Sequence, residues 1–240
     1  MSPPGVGIGA EEGLTHCLLL SGGLDSATLA AWVKEHHPCE QITAYTFLYG
    51  QKHVAEVDAA RAVAAFFRLE HQVIDMATIH GSALTDAELP LPEGRDLATV
   101  RGIAPSYVPA RNLFFLARMA TLRDAWGPGV LWLGVHHDEH TGYPDCRPEF
   151  IEAADRAVCL GTQYGLRVRA PFVEWSKPAI IRWGLDHGVP YHLTLSCYQG
   201  RVPACRVCDT CQARLDAFAA AGAGDPIPYE AGAADDGVVP

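Results

Sequence analysis

The sequence predicts an α/β protein built on a parallel sheet flanked by helices. Two observations carry that expectation. Short apolar runs alternate along the chain with longer segments whose apolar residues recur at helical spacing. Parallel strands need a crossover, usually a helix, so this alternation favours parallel over antiparallel pairing. At 240 residues, 49% of them apolar, the chain has the length for one domain with a sizeable core.

Taken in order, CLLL (17–20) reads as a buried strand and ATLAAWVKEHH (27–37) as the helix after it. ITAYTFLYG (42–50) is a second strand, VAEVDAARAVAAFF (54–67) a second helix and HQVIDM (71–76) a third strand. RNLFFLARMATLRDAW (111–126) is a strong helix, VLWLGVH (130–136) a strand and FIEAADRAVCLGTQYG (150–165) another helix. RVRAPFV (167–173) follows, then the helix KPAIIRWGLDHG (177–188), whose Gly188 suits the position just past a helix end. Two stretches break the rhythm. Residues 77–106 carry turn and proline signals and are expected to form a long active-site loop. Residues 219–240, rich in Ala, Gly, Pro and Asp without apolar period, are expected to be a disordered tail. Residues 1–14 read as a flexible lead, leaving 15–218 as a single domain.

The net charge of −10 argues against a broad nucleic-acid surface, which needs clustered Lys and Arg. No apolar run approaches the roughly 18 residues of a membrane span. The first residues, MSPPGVGIGAEEGLTH, lack the basic and apolar regions of a secretory signal, so a cytoplasmic protein is expected. The eight cysteines are then expected to be reduced thiols plus a metal site rather than disulfides. Cys17 and Cys159 read as small core residues, and Cys39 falls in a turn.

The stretch LLLSGGLDSATLA (18–30) is the most informative. A buried strand running into Ser-Gly-Gly and then a helix places the helix N-terminus at the carboxyl end of the sheet, where open α/β folds bind ligands. Gly22 and Gly23 let the backbone turn tightly and approach an anion. Ser21 and Ser26 add hydroxyl donors, and the helix dipole favours negative charge. The spacing is not that of GxxxxGK[ST], and no Lys follows. Asp25, a carboxylate among anion donors, makes sense if a Mg²⁺ ion bridges it to polyphosphate. SGGLDS resembles the PP-loop of the N-type ATP pyrophosphatases, which implies adenylation of a carboxylate or amide oxygen with release of pyrophosphate. It also implies an adenine nucleotide alpha hydrolase-like fold.

Cys197, Cys205, Cys208 and Cys211 stand in the pattern C-x7-C-x2-C-x2-C within residues 194–218. Four thiolates in one short segment can close a tetrahedral structural zinc site. The spacing of the last three also resembles an iron–sulfur run, but the C-x3-C-P continuation of bacterial ferredoxins is missing, so zinc is favoured.

With these motifs placed, the chain resembles the 7-cyano-7-deazaguanine synthase family of queuosine biosynthesis over residues 15–218. The matching phrases are SGGLDSATL (21–29), YGQKHVAEVDAAR (49–61), VIDM (73–76) before SALTD (82–86), YVPARNLFFL (107–116), GYPDCRPEFIEA (142–153), SKPAIIRWGL (176–185) and the cysteine cluster. The resemblance implies conversion of 7-carboxy-7-deazaguanine and ammonia to the nitrile, with two adenylations by Mg-ATP. Leu20, Ser21, Gly22, Gly23, Leu24, Asp25, Ser26, Ala27, Thr28, Leu29 and Ala30 are then expected at ATP, and Asp25, Arg111 and Lys177 as the catalytic groups. Tyr143, Asp145, Cys146, Arg147 and Gln51 are expected at the deazapurine, and His53 is either beside them or on the surface. The resemblance further implies a homodimer acting on small molecules.

The chain departs from the family in places. His136, Glu139 and His140 stand where the family commonly has Asn, Asp and Tyr, Leu48 where an Asp often precedes YGQ, and Arg206 where a Gly commonly follows the second cysteine. A second metal site at His136–His140 is weighed against a polar loop, and the loop is favoured. These changes leave room for a divergent relative that stops at the amide or conjugates the activated acid to a protein amine. A PP-loop tRNA thiolase fits less well, given the acidic charge and the closed set of cysteines.

Overall fold

A computed structural model describes residues 14–38, 40–52, 54–94 and 102–231. Cys39, His53, the lead through residue 13 and the last residues of the expected tail lie outside the described residues. Five strands form one sheet in the order β3-β2-β1-β4-β5. They are β1 (Thr15–Leu19), β2 (Ile42–Leu48), β3 (Glu70–Asp75), β4 (Gly129–Trp132) and β5 (Arg167–Arg169), and every pairing is parallel. Six helices connect and cover them: α1 (Leu24–His36), α2 (Ala55–Phe67), α3 (Arg111–Asp124), α4 (Pro148–Gly161), α5 (Lys177–Asp186) and α6 (Asp209–Ala221).

The expected alternation is present, and it produces two cores. Successive strand residues point to opposite faces. Leu18, Leu20, Ala44, Val130 and Trp132 face one way, onto Ala27, Ala30, Val63, Ile180, Ile181 and Phe218 of α1, α2, α5 and α6. Cys17, Tyr45, Phe47, Leu131 and Leu133 face the other way, onto Phe115, Leu116 and Met119 of α3 and Ile151 of α4. Each central strand is therefore buried on both faces and mostly apolar, as parallel strands covered by helices are, with His16, Thr43 and Thr46 as buried polar exceptions. At the amino end of the sheet the Trp132 indole N–H donates to His16 Nδ1 at 2.9 Å. An indole nitrogen only donates, so His16 carries its proton on Nε2 and directs it at Glu40. That ring is a donor rather than a metal ligand.

Several boundaries move. α1 starts at Leu24, three residues earlier than expected, so the phosphate-type turn is only Ser21–Gly23. β4 and β5 are shorter than the apolar runs VLWLGVH and RVRAPFV, because the chain leaves the sheet to wall a cavity at residue 133 and turns at residue 171. α5 ends as expected. Gly188 has φ +68°, its N–H donates to Leu185 O at 3.3 Å and the Val189 N–H donates to Gly184 O at 2.8 Å, a Schellman closure.

The tail is corrected in its first half. Residues 219–221 finish α6, Gly222 caps it at φ +79°, and residues 223–231 fold back onto the cysteine segment. Arg214, buried in α6, donates to both Asp225 oxygens at 2.7 and 2.9 Å, and Tyr229 donates to Asp225 at 2.6 Å. Both charged side chains of the pair are 1% exposed. Composition does not reveal this, because one ion pair supplies what an apolar pattern normally would. Asp225→Ala leaves a buried guanidinium uncompensated and is expected to cost about 3 kcal/mol. For a chain of this size that lowers Tm by roughly 6–12 °C. A thermal melt within a degree or two of wild type contradicts the reading.

Candidate active site

The strand order places a switch between β1 and β4: β2 and β3 extend the sheet on one side of β1, β4 and β5 on the other. Ligands bind outside the carboxyl ends of strands at such a point. A cavity opens there, walled by the turn after β1, the starts of α1, α2 and α3, the segment after β4 and the cysteine segment.

The turn Ser21–Gly23 forms its rim. Gly22 has φ +88°, and a Cβ there would sit 2.2 Å from the carbonyl oxygen of Glu56. Only glycine lets this turn pack so closely on α2. Ser26 Oγ accepts from the Ser21 N–H at 3.2 Å and donates to Gly23 O at 3.0 Å, which fixes the loop from within. Of the residues expected at ATP, Ser21, Gly23, Asp25 and Ser26 line the cavity. Leu20, Leu24, Ala27, Leu29 and Ala30 point into the core, and Thr28 donates to Leu24 O beneath the loop. The eleven-residue span of the expectation thus divides by helical phase: one face lines the cavity, the other packs.

Lys177, the first residue of α5, reaches across to Asp25 at 3.2 Å. Asp138 accepts from the Lys177 backbone N–H at 2.8 Å and so holds the start of α5 in place. Burial alone raises the pKa of Asp25, but the Lys177 and His136 charges outweigh it and hold the carboxyl below its usual range. Burial lowers that of Lys177, and Asp25 more than reverses it, so the ammonium is kept. Asp25 Oδ1 is buried without a hydrogen-bond partner, leaving its lone pairs to a cation.

Arg111 opens α3, where a cation faces an unfavourable dipole. Its guanidinium donates to Tyr49 Oη at 3.0 Å and lies over the Tyr49 ring. The compensating negative charge is Asp145, whose Oδ2 accepts from the Asn112 N–H at 2.8 Å while the Asn112 side chain donates to Asp145 O at 3.1 Å. Ala110, at the cap position, offers no side-chain acceptor, so the cap comes from another segment. Asp145 is therefore engaged by the start of α3 and is not among the residues that line the cavity. Arg147 is likewise outside, exposed and donating to His140 O at 2.8 Å. Tyr143, Cys146 and Gln51 do line it. Tyr143 meets Ser106 Oγ at 2.6 Å, and burial pushes its pKa well up. Burial also raises that of Cys146, whose thiol stays protonated. Gln51 folds back, accepting from the Tyr49 N–H and donating to Phe47 O.

Tyr49, Glu56, Ser106 and Tyr198, which the sequence did not single out, also line the walls, as does Glu139. Glu56 sits inside YGQKHVAEVDAAR but reads as an ordinary acidic residue of a first helical turn. Burial pushes its carboxyl up to about 7, against the pull of Arg111 and with Cys197 adding to the rise. His136 is buried 3.7 Å from Asp25 and 3.9 Å from Glu139. Among the described residues, the His136–His140 stretch does not bring three ligand atoms together.

The four cysteines of the cluster do gather: their sulfurs lie within 4.8 Å of one another, all buried. Cys205 and Cys211 sulfurs are 3.9 Å apart, against about 3.8 Å for the edge of a tetrahedron with 2.3 Å bonds. Backbone N–H groups of Cys205 and Cys208 point at Cys197 and Cys205 sulfurs at 3.5 and 3.4 Å. The cluster can hold a metal ion. It braces the cavity, since Leu195 donates its N–H to Gly22 O at 3.0 Å and Leu195, Ser196, Tyr198 and Thr210 line the wall. Arg206 has φ +66°, which explains why a glycine suits this position. Arg206→Gly is expected to be neutral to stabilising, by up to about 1 kcal/mol, as relief of the left-handed strain outweighs the added chain entropy. A Tm below wild type contradicts this.

Residues 15–222, the whole of this architecture, match the family described as queuosine biosynthesis protein QueC. The chain belongs to that family. Among its relatives, 7-cyano-7-deazaguanine synthase of Acinetobacter baylyi is 42% identical over 221 residues, covering 88% of this chain and 93% of the relative. The synthase of Azotobacter vinelandii is 46% identical over 225 residues, covering 88% and 96%. That of Thermoplasma volcanium is 39% identical over 220 residues, covering 88% and 89%. Family members and this chain thus correspond over nearly their full length, cysteine segment included. No helix among the described residues is long and apolar enough to cross a membrane.

Proposed function

We infer that this protein is an ATP-dependent carbon–nitrogen ligase that converts 7-carboxy-7-deazaguanine and ammonia to 7-cyano-7-deazaguanine, in queuosine biosynthesis. The observation that carries the reading is one cavity holding the Ser21–Ser26 loop, Lys177 and Arg111 in a QueC-family chain. Carboxylate and amide oxygens are poor leaving groups, and adenylation converts each into AMP. The acid oxygen attacks the α-phosphorus of ATP and pyrophosphate departs. Ammonia then displaces AMP to give the amide. A second ATP adenylates the amide oxygen, and loss of AMP with the nitrogen's protons leaves the nitrile.

The first backbone N–H groups of α1 and the Ser21 hydroxyl would meet the pyrophosphate on a turn that Ser26 fixes from within, and Lys177 neutralises charge that grows as it leaves. Asp25 orients Lys177 through Oδ2. Its free Oδ1 would hold Mg²⁺ arriving with ATP, which supplies further charge neutralisation on the phosphates. Arg111, fixed by Tyr49, directs its remaining donors at the acid or the α-phosphate. Tyr143 and Cys146 form the wall at the deazapurine. Cys197, Cys205, Cys208 and Cys211 would hold a structural Zn²⁺, because four buried thiolates require a dication and no position is left open. A homodimer without nucleic acid completes the reading.

The test is incubation with Mg-ATP, ammonium and the acid, followed by mass spectrometry. AMP and the nitrile in a 2:1 ratio are expected. AMP with the amide alone contradicts a full synthase, and no AMP rejects the acid as substrate.

A further inference from the structure

The first turn of α2 puts into the cavity a carboxyl that the fold does not use. Glu56 lines the cavity with Tyr49, Ser106, Arg111 and Tyr198, and no described residue hydrogen-bonds or salt-bridges its side chain. The other nearby carboxyls are engaged: Asp25 by Lys177, Asp145 by the start of α3, Glu139 by His136. Its backbone carbonyl packs against Gly22, which seats the first turn of α2 directly beside the Ser21–Gly23 turn. A sequestered carboxylate without donors is costly, and ligand N–H groups are what would satisfy it.

The triphosphate repels such a group, and the adenine edge presents one donor beside an acceptor. A 2-amino-6-oxopurine-type edge presents two parallel donors, the ring N1–H and the exocyclic amine, which match the two oxygens of a carboxylate. We propose that Glu56 reads this edge of the deazapurine and makes the enzyme select guanine-type acids over hypoxanthine-type acids, an inference that rests on the proposed function above. It takes the role the sequence reading gave to Asp145.

The experiment compares 7-carboxy-7-deazaguanine with its analogue lacking the 2-amino group, by AMP release, in wild type and Glu56→Gln. Wild type is expected to show a KM about 100-fold higher for the analogue, because one donor to the carboxylate is missing. In E56Q the amide turns N–H groups toward the ligand donors. The KM for the guanine-type acid rises about 100-fold, the preference shrinks to within about threefold, and the KM for ATP holds. Equal KM values for the two acids in wild type overturn the proposal, with no variant needed should E56Q fail to fold. A folded E56Q that keeps the full preference overturns it too, while the synthase reading stands on the AMP released. Absence of AMP with either acid in wild type removes the reading and the proposal together.

Discussion

Lys177→Met is expected to lower kcat/KM for the acid about 10³-fold. Removing one preorganised donor from a developing oxyanion costs 10²–10³ in rate, and here the group lost is a full charge held 3.2 Å from Asp25. The same change strips Asp25 of its main cation, leaving a half-buried carboxylate beside His136 and Glu139. Stability therefore falls as well, and a lowered Tm could be mistaken for the cause of lost activity. The double variant Asp25→Asn with Lys177→Met separates the two effects. Neutralising both partners removes the stranded charge, so Tm returns toward wild type while kcat/KM stays at least 10³-fold down. Steady-state AMP release and thermal melts on the four proteins read the cycle. Lys177→Met retaining a tenth of wild-type activity, or a double variant that recovers activity together with Tm, would make the pair structural.

The sequence singled out Asp25 and Lys177 separately, Lys177 through the family resemblance, and their pairing is legible only in the fold. Asp25 and Lys177 both sit at helix starts directly after loops at the carboxyl end of the sheet, and strand–helix alternation brings such ends together. The central strands, buried on both faces, and the glycine-closed α5 follow from local pattern. What the pattern hides is tertiary supply. Asp145 caps a helix that begins 34 positions earlier in the chain, and nothing in YPDCR distinguishes a cap for a distant helix from a hand for a ligand. α6 carries alanine round most of its surface and buries an arginine, so it shows no apolar stripe to announce a helix. Its partner Asp225 lies in a stretch whose composition resembles disorder. Glu56 was missed because an acid in a first helical turn is what the dipole favours anyway. Only the fold, which brings the start of α2 to the cavity at the carboxyl end of the sheet, shows that the residue lines it.

Loss of metal from the cysteine cluster is expected to have the widest consequence. The cluster has little apolar core of its own: Leu195 and Ile227, with Tyr198 and Tyr229, pack around the four sulfurs. Without a cation its thiols compete for protons. Hydrogen bonds with Cys208 and Cys211 pull the Cys197 pKa down, while those with Cys197 and Cys208 push that of Cys211 up, a conflict that a dication resolves by ionising all four. Zinc binding in small sites contributes about 10–16 kcal/mol of folding free energy, so its removal should unfold residues 194–211 locally before the sheet melts. The wall made by Leu195, Ser196, Tyr198 and Thr210 goes with it, as does the hydrogen bond from Leu195 to Gly22 that steadies the phosphate turn. Cys208→Ser is therefore expected to drop bound zinc from one per chain to near zero, to lower Tm by more than about 10 °C, and to abolish AMP release. Elemental analysis, melts and the AMP assay check each step. Full zinc occupancy in the serine variant would exclude Cys208 as a ligand, and a metal-free protein with wild-type turnover would free the cavity from the cluster. Iron and labile sulfide in place of zinc would instead assign the site to a cluster. Because the turn is held by Leu195 and not by sulfur directly, activity should fall in proportion to zinc lost rather than at a threshold of global unfolding.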